Sequence, residues 1–468
     1  MPLLDPIALA KLMRAGIRTL ALCGPRRLFV VLAVCLALAP TNSTAQTVAG
    51  PRLRVWHFAE GLTRGEFRSY FLVSNLNDRP TSVRAEYQRE DGTPLIQWFG
   101  VPAQDRVSFG AGHFVGPTTF GVSFYAERDV VVERSILSNL DNEAPGQDGL
   151  STLGFAQDGL RSWHFADGNT YGTTETFYVV RNLTDEPTAV KATFVTDIGT
   201  FAERWLALPP RGRLGLDMRE VLPDRAFGAS FEADRDVVVE RTVFFEGQAS
   251  PLGGLGHASS GTSGAAIWHF AEANTSGPYS TYFILFNPGP RPTSVEFVAD
   301  GAPLAALYLP PFGRLAYDPA GVAPDTTFGA TFRATGPIVA ERSYYSTGDG
   351  LYGAVGYSPG LGADGRNWCF AEGNTSAGIE TYFIVRSLAA SPGTVRAAFH
   401  TGDRPPIVQT LPIGPNGRDA FRANDLVPGA TFAISFASDV PLVVERVFYF
   451  PGSGGHNVVG VGVPSAGP

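Results

Sequence analysis

One short phrase occurs four times in this chain and decides what it can fold into. It reads Trp56-His-Phe-Ala-Glu60-Gly-Leu-Thr63, then Trp163-His-Phe-Ala-Asp167-Gly-Asn-Thr170, Trp268-His-Phe-Ala-Glu272-Ala-Asn-Thr275 and Trp368-Cys-Phe-Ala-Glu372-Gly-Asn-Thr375. A second phrase keeps step with it: Glu133-Arg134, Glu240-Arg241, Glu341-Arg342 and Glu445-Arg446, each after a run of β-branched and aliphatic residues. Self-similarity at a period near one hundred residues implies four copies of one folding unit, each large enough for a sandwich core. Glycine and proline are abundant (54 and 36), whereas charged residues reach 17%. That balance suits short strands joined by tight turns and not solvent-facing helices.

Within unit one the turn signals fall every eight to fifteen residues. They separate Trp56–Glu60, Ser69–Asn75, Thr81–Tyr87, Pro94–Phe99, Val107–Phe109, Phe120–Phe124 and Val130–Leu137, about seven strands with alternating patterns. Units two to four repeat the order. A mid-unit turn recurs as Pro210-Arg-Gly-Arg213, Pro311-Phe-Gly-Arg314 and Pro415-Asn-Gly-Arg418, where proline sets φ at the entrance and glycine is expected to supply a positive φ. Gly-rich joints at 143–160, 246–265, 346–365 and from 451 each hold an apolar-Gly step, read as a brief edge strand and a flexible linker. The expected fold is all-β: four tandem antiparallel, immunoglobulin-like β-sandwich modules over 46–154, 155–257, 258–358 and 359–468. A β-propeller would need two blades per unit.

Residues 1–45 read as an export signal. Arg14, Arg18, Arg26 and Arg27 precede an apolar run, Leu28–Ala39, and Ser43-Thr-Ala45 offers small residues for cleavage. The run is too short for the hydrocarbon core, so no membrane span is expected in the mature chain. Arg26-Arg27 leaves a twin-arginine route open beside the general one, and Met13 is an alternative start. A secreted, periplasmic or cell-surface location follows. With Cys23 and Cys35 in the leader, Cys369 is the remaining thiol, and an intramolecular disulfide is excluded. Net charge is −8 and no basic run follows the leader, which argues against a nucleic-acid partner.

The recurring polar residues invite chemistry, but strand geometry favours architecture. Neighbours in a strand face opposite sides, so Glu133 and Arg134 cannot pair with each other. Both faces of that strand are largely apolar, which predicts a central strand whose arginine meets the acid of its own Trp strand. Twelve residues are therefore expected as structural keystones: Trp56, Glu60 and Arg134; Trp163, Asp167 and Arg241; Trp268, Glu272 and Arg342; Trp368, Glu372 and Arg446. No catalytic, cofactor-binding or metal-binding residue is predicted. His57, His164 and His269 share one slot that Cys369 fills in unit four, and each lacks a second ligand at metal spacing. The Glu-Gly-Asn-Thr turn lacks the dense carboxylates of calcium loops. Gly356-Tyr-Ser-Pro-Gly360 matches a nucleophile elbow in letters only, because Pro359 stands where the helix should begin.

The combination Trp-x-Phe-Ala-Glu-Gly-x-Thr, Thr-Tyr-Phe and Glu-Arg-Ser/Thr resembles a repeat family of secreted bacterial proteins without an established activity. The likeness spans essentially the mature chain. Asp167, Ala273 and Cys369 depart from the pattern. The resemblance implies secretion and tandem modules, and it transfers no catalytic residue. The expected function is a structural or adhesive element contacting extracellular polysaccharide or a surface protein. Carbohydrate binding at one site per module, with the recurring Trp as a stacking platform, is the alternative. A glycoside hydrolase using Glu60-type and Glu133-type acids is the third reading.

Overall fold

Polar turns cut the first repeat into eight strands. These are β1 (Val55–Phe58), β2 (Phe67–Asn75), β3 (Thr81–Arg89), β4 (Pro94–Val101), β5 (Asp105–Gly110), β6 (Phe120–Ala126), β7 (Val131–Ser138) and β8 (Asp148–Leu153). They form two antiparallel sheets, ordered β1-β6-β3-β4 and β5-β2-β7-β8. Phe58, Phe71, Phe120 and Phe124 fill the space between the sheets, with Trp56 fully buried beside them. This is the two-layer architecture of immunoglobulin-like sandwiches with its own strand order. The computed structural model describes residues 53–65, 67–138, 148–156, 158–244, 256–346, 353–359, 365–402, 404–450 and 453–462. The expected leader and parts of the Gly-rich joints lie outside the described residues.

The second module runs β9 (Leu160–Asn169), β10 (Glu175–Asn182), β11 (Thr188–Thr196), β12 (Phe201–Leu208), β13 (Arg213–Asp217), β14 (Ala226–Phe244) and β15 (Gly256–Ser260). The third holds β16 (Ala265–Asn274), β17 (Tyr279–Phe286), β18 (Thr293–Ala299), β19 (Ala302–Leu309), β20 (Arg314–Tyr317), β21 (Thr327–Ser346) and β22 (Gly353–Pro359). The fourth holds β23 (Gly365–Asn374), β24 (Glu380–Ser387), β25 (Gly393–His400), β26 (Ile407–Ile413), β27 (Arg418–Arg422), β28 (Thr431–Phe450), β29 (Ser453–Val459) and β30 (Val461–Gly462). Here the equivalents of β6 and β7 fuse into one long strand. β14 pairs β9 and β11 along its first half, then β10 and β15 along its second, so a single strand serves both layers.

The mid-unit turns differ from expectation in one respect. Positive φ falls on Arg211, Phe312 and Asn416 (56°, 55° and 49°), the residue before each glycine. The glycine answers a different need: a Cβ on Gly212 or Gly313 would lie 2.5 Å from the preceding proline ring. Only the missing side chain lets the turn close.

The modules are not separate beads. β9 of module two packs on β17 and β21 of module three, β16 packs on β24 and β28, and β23 packs back on β2 and β7 of module one. β1 touches β14 in the same sense. The joint strands close a second circuit, β8 to β15 to β22 to β29 and back to β8. Four sandwiches thus make a ring with four seams, the fourth joining module four to module one. The two apolar faces of β7 are now explained, since one faces its own core and the other the preceding module. Among the described residues no helix is long and apolar enough to cross a membrane.

Candidate functional site

The recurring tryptophans bolt strands together. Trp56 is fully buried, and its indole Nε1 donates to the Leu53 and Val130 carbonyls at 3.0 and 2.9 Å. Trp163 and Trp268 make the same pair of bonds to Leu160 and Val237 and to Ala265 and Ile338. A ring enclosed in this way cannot serve as a sugar platform, so that form of the carbohydrate reading is withdrawn. The histidine slot is equally internal: Nδ1 of His57 and of His164 lies 2.8 Å from Ser123 and Ser230 Oγ. Burial, helped by Arg181 and Arg211, lowers the His57 pKa to about 3, and burial alone lowers that of His164 to about 4. In module four Cys369 fills the slot, buried, with its thiol pushed up by desolvation.

The arginines hold the seams. Arg134, Arg241, Arg342 and Arg446 are at most 1% exposed. Each lies over the phenylalanine of its own Trp strand, at 5.4, 5.4, 5.9 and 5.5 Å from Phe58, Phe165, Phe270 and Phe370. Each also donates Nη1 to the main-chain carbonyl of its own keystone acid. The carboxylate it meets comes from the next module. Arg134 pairs with Glu240 at 2.8 Å, Arg241 with Glu341 at 2.9 Å, Arg342 with Glu445 at 2.7 Å and Arg446 with Glu133 at 2.8 Å. The last pair returns to module one and closes the circuit.

In modules one to three this corrects the expected pairing with the acid of the same module's Trp strand, and the reason is alternation along the strand; in module four the expected pair is present as well, Arg446 Nη2 lying 3.4 Å from Glu372. In Glu-Arg the arginine turns into its own sandwich while the glutamate turns out toward the preceding module. There the glutamate also accepts main-chain N–H bonds: Glu240 from Glu60, Glu341 from Asp167, Glu445 from Ala271 and Glu133 from Ala371, at 2.6–2.8 Å. Desolvation pushes the Glu133, Glu240 and Glu341 carboxyls up, and their arginines pull them back down. Charges this deeply buried persist only with such company.

The keystone acids also work across the seam. Their half-buried carboxylates reach the residue after the next module's arginine. Glu60 accepts from Thr242 Oγ1, and Asp167 accepts from Ser343 Oγ at 2.8 Å and pairs with Arg314 at 2.8 Å. Glu372 accepts from Ser135 and Ser151 at 2.9 and 3.0 Å. At the third seam the corresponding residue is Val447, which has no donor, and the Glu272 carboxylate receives no hydrogen bond among the described residues. A cavity of about 400 Å³ opens beside it, lined by Glu272, Asn274, Tyr279 and Tyr344 of module three with Tyr382 and Tyr449 of module four.

Seam packing carries a size code. A Cβ on Gly121 would fall 2.5 Å from the Arg181 side chain, on Gly228 2.7 Å from Phe286 and on Gly329 2.2 Å from Arg386. At the fourth seam the equivalents are Ala433 and Ser74, both buried, so alanine stands where its partner slot is small. Repeat alignment contains this signal, though only knowledge of the ring says which slots to compare. Sequence reading also missed three large exposed rings on edge strands: Trp98 (65% exposed), Trp205 (70%) and Tyr308 (62%). Among the described residues no cluster of three or more histidine, cysteine, aspartate or glutamate side chains could hold a metal ion. Ser358 lies on β22, which pairs with β21 in an antiparallel sheet.

No protein-family model matches the chain, and no curated protein matches it. Among solved structures it is similar to Thermotoga maritima 1070, at 16% identity and a TM-score of 0.21, over 23% of this chain and 96% of that one. It is similar to the Anabaena sensory rhodopsin transducer at 19% identity and a TM-score of 0.17, over 18% of this chain and 95% of that one. A tetra-tandem repeat from the extending region of a large adhesion protein aligns over 87% of this chain and 94% of its own, at 10% identity and a TM-score of 0.09.

Proposed function

We propose that the chain is an exported, non-catalytic ring scaffold, a structural or adhesive element of the cell surface or extracellular space. The supporting observation is the use made of the repeated charges. All four Glu-Arg pairs are consumed in holding one module to the next. The acids that a glycosidase would need are already engaged, Glu133 by Arg446 and Glu60 by Thr242. What the ring leaves free is its rim of edge strands, and polysaccharide or a surface protein would be met there. Secretion and kinship with the secreted bacterial repeat family belong to this proposal.

A carbohydrate-binding reading keeps one specific support. Trp98 on β4 and Trp205 on β12 occupy the same register slot, opposite Arg84 and Lys191 on the neighbouring strands. Tyr308 on β19 stands two residues further along the same face. Flat exposed rings on a rigid strand suit sugar faces or a protein hot spot. A glycan array probed with the folded chain tests both readings together. Glycan binding lost in a Trp98→Ala/Trp205→Ala double variant with unchanged melting supports the sugar reading. Glycan cleavage by the purified chain would refute the non-catalytic proposal.

A further inference from the structure

The third seam differs from its sisters by a missing donor and a lining of tyrosines, and the two differences share one cavity. Glu272 sits on the module-three side, and Val447 faces it where Thr242, Ser343 and Ser135 stand at the other seams. The nearest guanidinium, Arg342, is committed to Glu445 and to the Glu272 main-chain carbonyl. Arg213 and Arg314, which bond the preceding module's main chain, have their counterpart in Arg418, and Arg418 acts on Glu272 only through space. Glu380, at the same cavity, is paired with Arg422 at 2.8 Å and accepts a hydrogen bond from the Tyr382 hydroxyl at 3.1 Å. Glu272 is therefore the one lining carboxylate left without a counter-charge in contact.

The rings around it are arranged as walls. Tyr279 and Tyr344 lie parallel, 3° apart in plane with centroids at 5.4 Å, and Tyr382 and Tyr449 meet edge to face at 5.7 Å. Burial pushes the Tyr344 and Tyr449 hydroxyls well above the usual tyrosine range, so all that these rings offer is neutral donors and π-faces. At the first seam the same slots hold Leu62, Phe67, Ile136 and Phe244, an apolar cluster. At the second, Tyr282 and Tyr345 match Tyr382 and Tyr449, but Thr174 and Val243 stand where Tyr279 and Tyr344 do, so the full set of four tyrosines belongs to the third seam.

We propose that this cavity binds a small organic cation, its ammonium group paired with the Glu272 carboxylate and seated among the tyrosine rings. Two requirements point to that class. A half-desolvated carboxylate without a donor is stabilised most by a ligand that brings both a hydrogen-bond donor and a positive charge. Aromatic faces favour an ammonium ion over a neutral group of the same shape. A cavity of about 400 Å³ lies in the range of small-molecule sites. The proposal stands independently of where the chain is located.

Calorimetric titration of the full chain with choline, with 1,4-diaminobutane and with 3,3-dimethylbutan-1-ol, the neutral isostere of choline, tests it. At least one cation should bind at one site per chain, and the isostere should not. Glu272→Gln should weaken the cation by about tenfold or more. Val447→Thr supplies the hydroxyl present at the other seams; it should weaken binding too, with an unchanged or raised melting temperature. Melting temperature of the wild type should rise with cation concentration, and that of both variants should rise less at the same concentration. No binding of either cation, equal binding of the isostere, or undiminished binding by both variants would overturn the proposal.

Discussion

The first and third seams are built from the same repeat, joined by the same clasp, and filled in opposite ways. Arg134–Glu240 and Arg342–Glu445 are equally buried and equally close. Beside the first, Thr242 satisfies Glu60 and the space is plugged by Phe67, Phe244 and their aliphatic neighbours, with Phe67 and Phe244 5.9 Å apart. Beside the third, Glu272 meets Val447 and the equivalent space is left open among tyrosines. The clasp closes the ring and the filling is free to vary. Repetition therefore marks what every seam needs, and departure from repetition marks where a seam has been given something else.

The sharpest way to break this division is to cut the clasp itself. Arg134→Met leaves Glu240 buried with its N–H bond from Glu60 and no counter-charge, and Arg342→Met does the same to Glu445. Each should lose about 3–5 kcal/mol of unfolding free energy in urea, by closely similar amounts at the two seams. A loss confined to one of them would show that the clasp is not common property. Next comes the filling. Phe244→Ala should cost about 3–5 kcal/mol by opening a cavity in a closed apolar plug. Tyr449→Ala, already beside open space, should cost about 1–2 kcal/mol. Equal losses would mean that the third-seam cavity is not there in solution.

Exchange of the hydroxyl tests the smaller difference. Thr242→Val makes the first seam resemble the third and should destabilise by about 1–3 kcal/mol, because Glu60 loses its donor. Val447→Thr makes the reverse change and should stabilise by about 1 kcal/mol. If both substitutions are neutral, the hydroxyl slot has no part in distinguishing the seams.

Much of this architecture could be read from the residues. The period gave four sandwiches, alternation put Glu133 and Arg134 on opposite faces, and the apolar character of both faces placed their strand centrally. What could not be read was which module supplies each partner. Arg134 finds an acid nearby whether the unit closes on itself or on its neighbour, and the local pattern is the same in both cases. The signal that separates them is long-range complementarity, glycine at 121, 228 and 329 against Arg181, Phe286 and Arg386, with alanine at 433 against Ser74. One chain shows each pairing once, so the code becomes visible only after the ring is known. The cavity was hidden for the opposite reason. Glu272 matches the repeat perfectly, and it is the valine opposite, more than 170 residues away in sequence, that changes its meaning.

The smallest effect concerns the proton on Glu272. Desolvation, aided by the nearby Glu445, raises its pKa above the usual carboxylate value against the opposing pull of Arg342 and Arg418. The folded chain therefore holds this proton at pH values where the unfolded chain has released it. A group of that kind favours the native state at pH below its unfolded pKa and withdraws the benefit as pH rises through its folded one. Glu272→Gln carries no titrating proton, so it should match the wild type in acid and become the more stable of the two as pH rises toward neutrality. The measurement is the difference between their urea midpoints across that range, which cancels the contributions of His57, His164, Glu133, Glu240 and Glu341, common to both. A difference that stays flat with pH would mean that Glu272 is as well solvated as a surface acid, and the contrast with the first seam would then rest on packing alone.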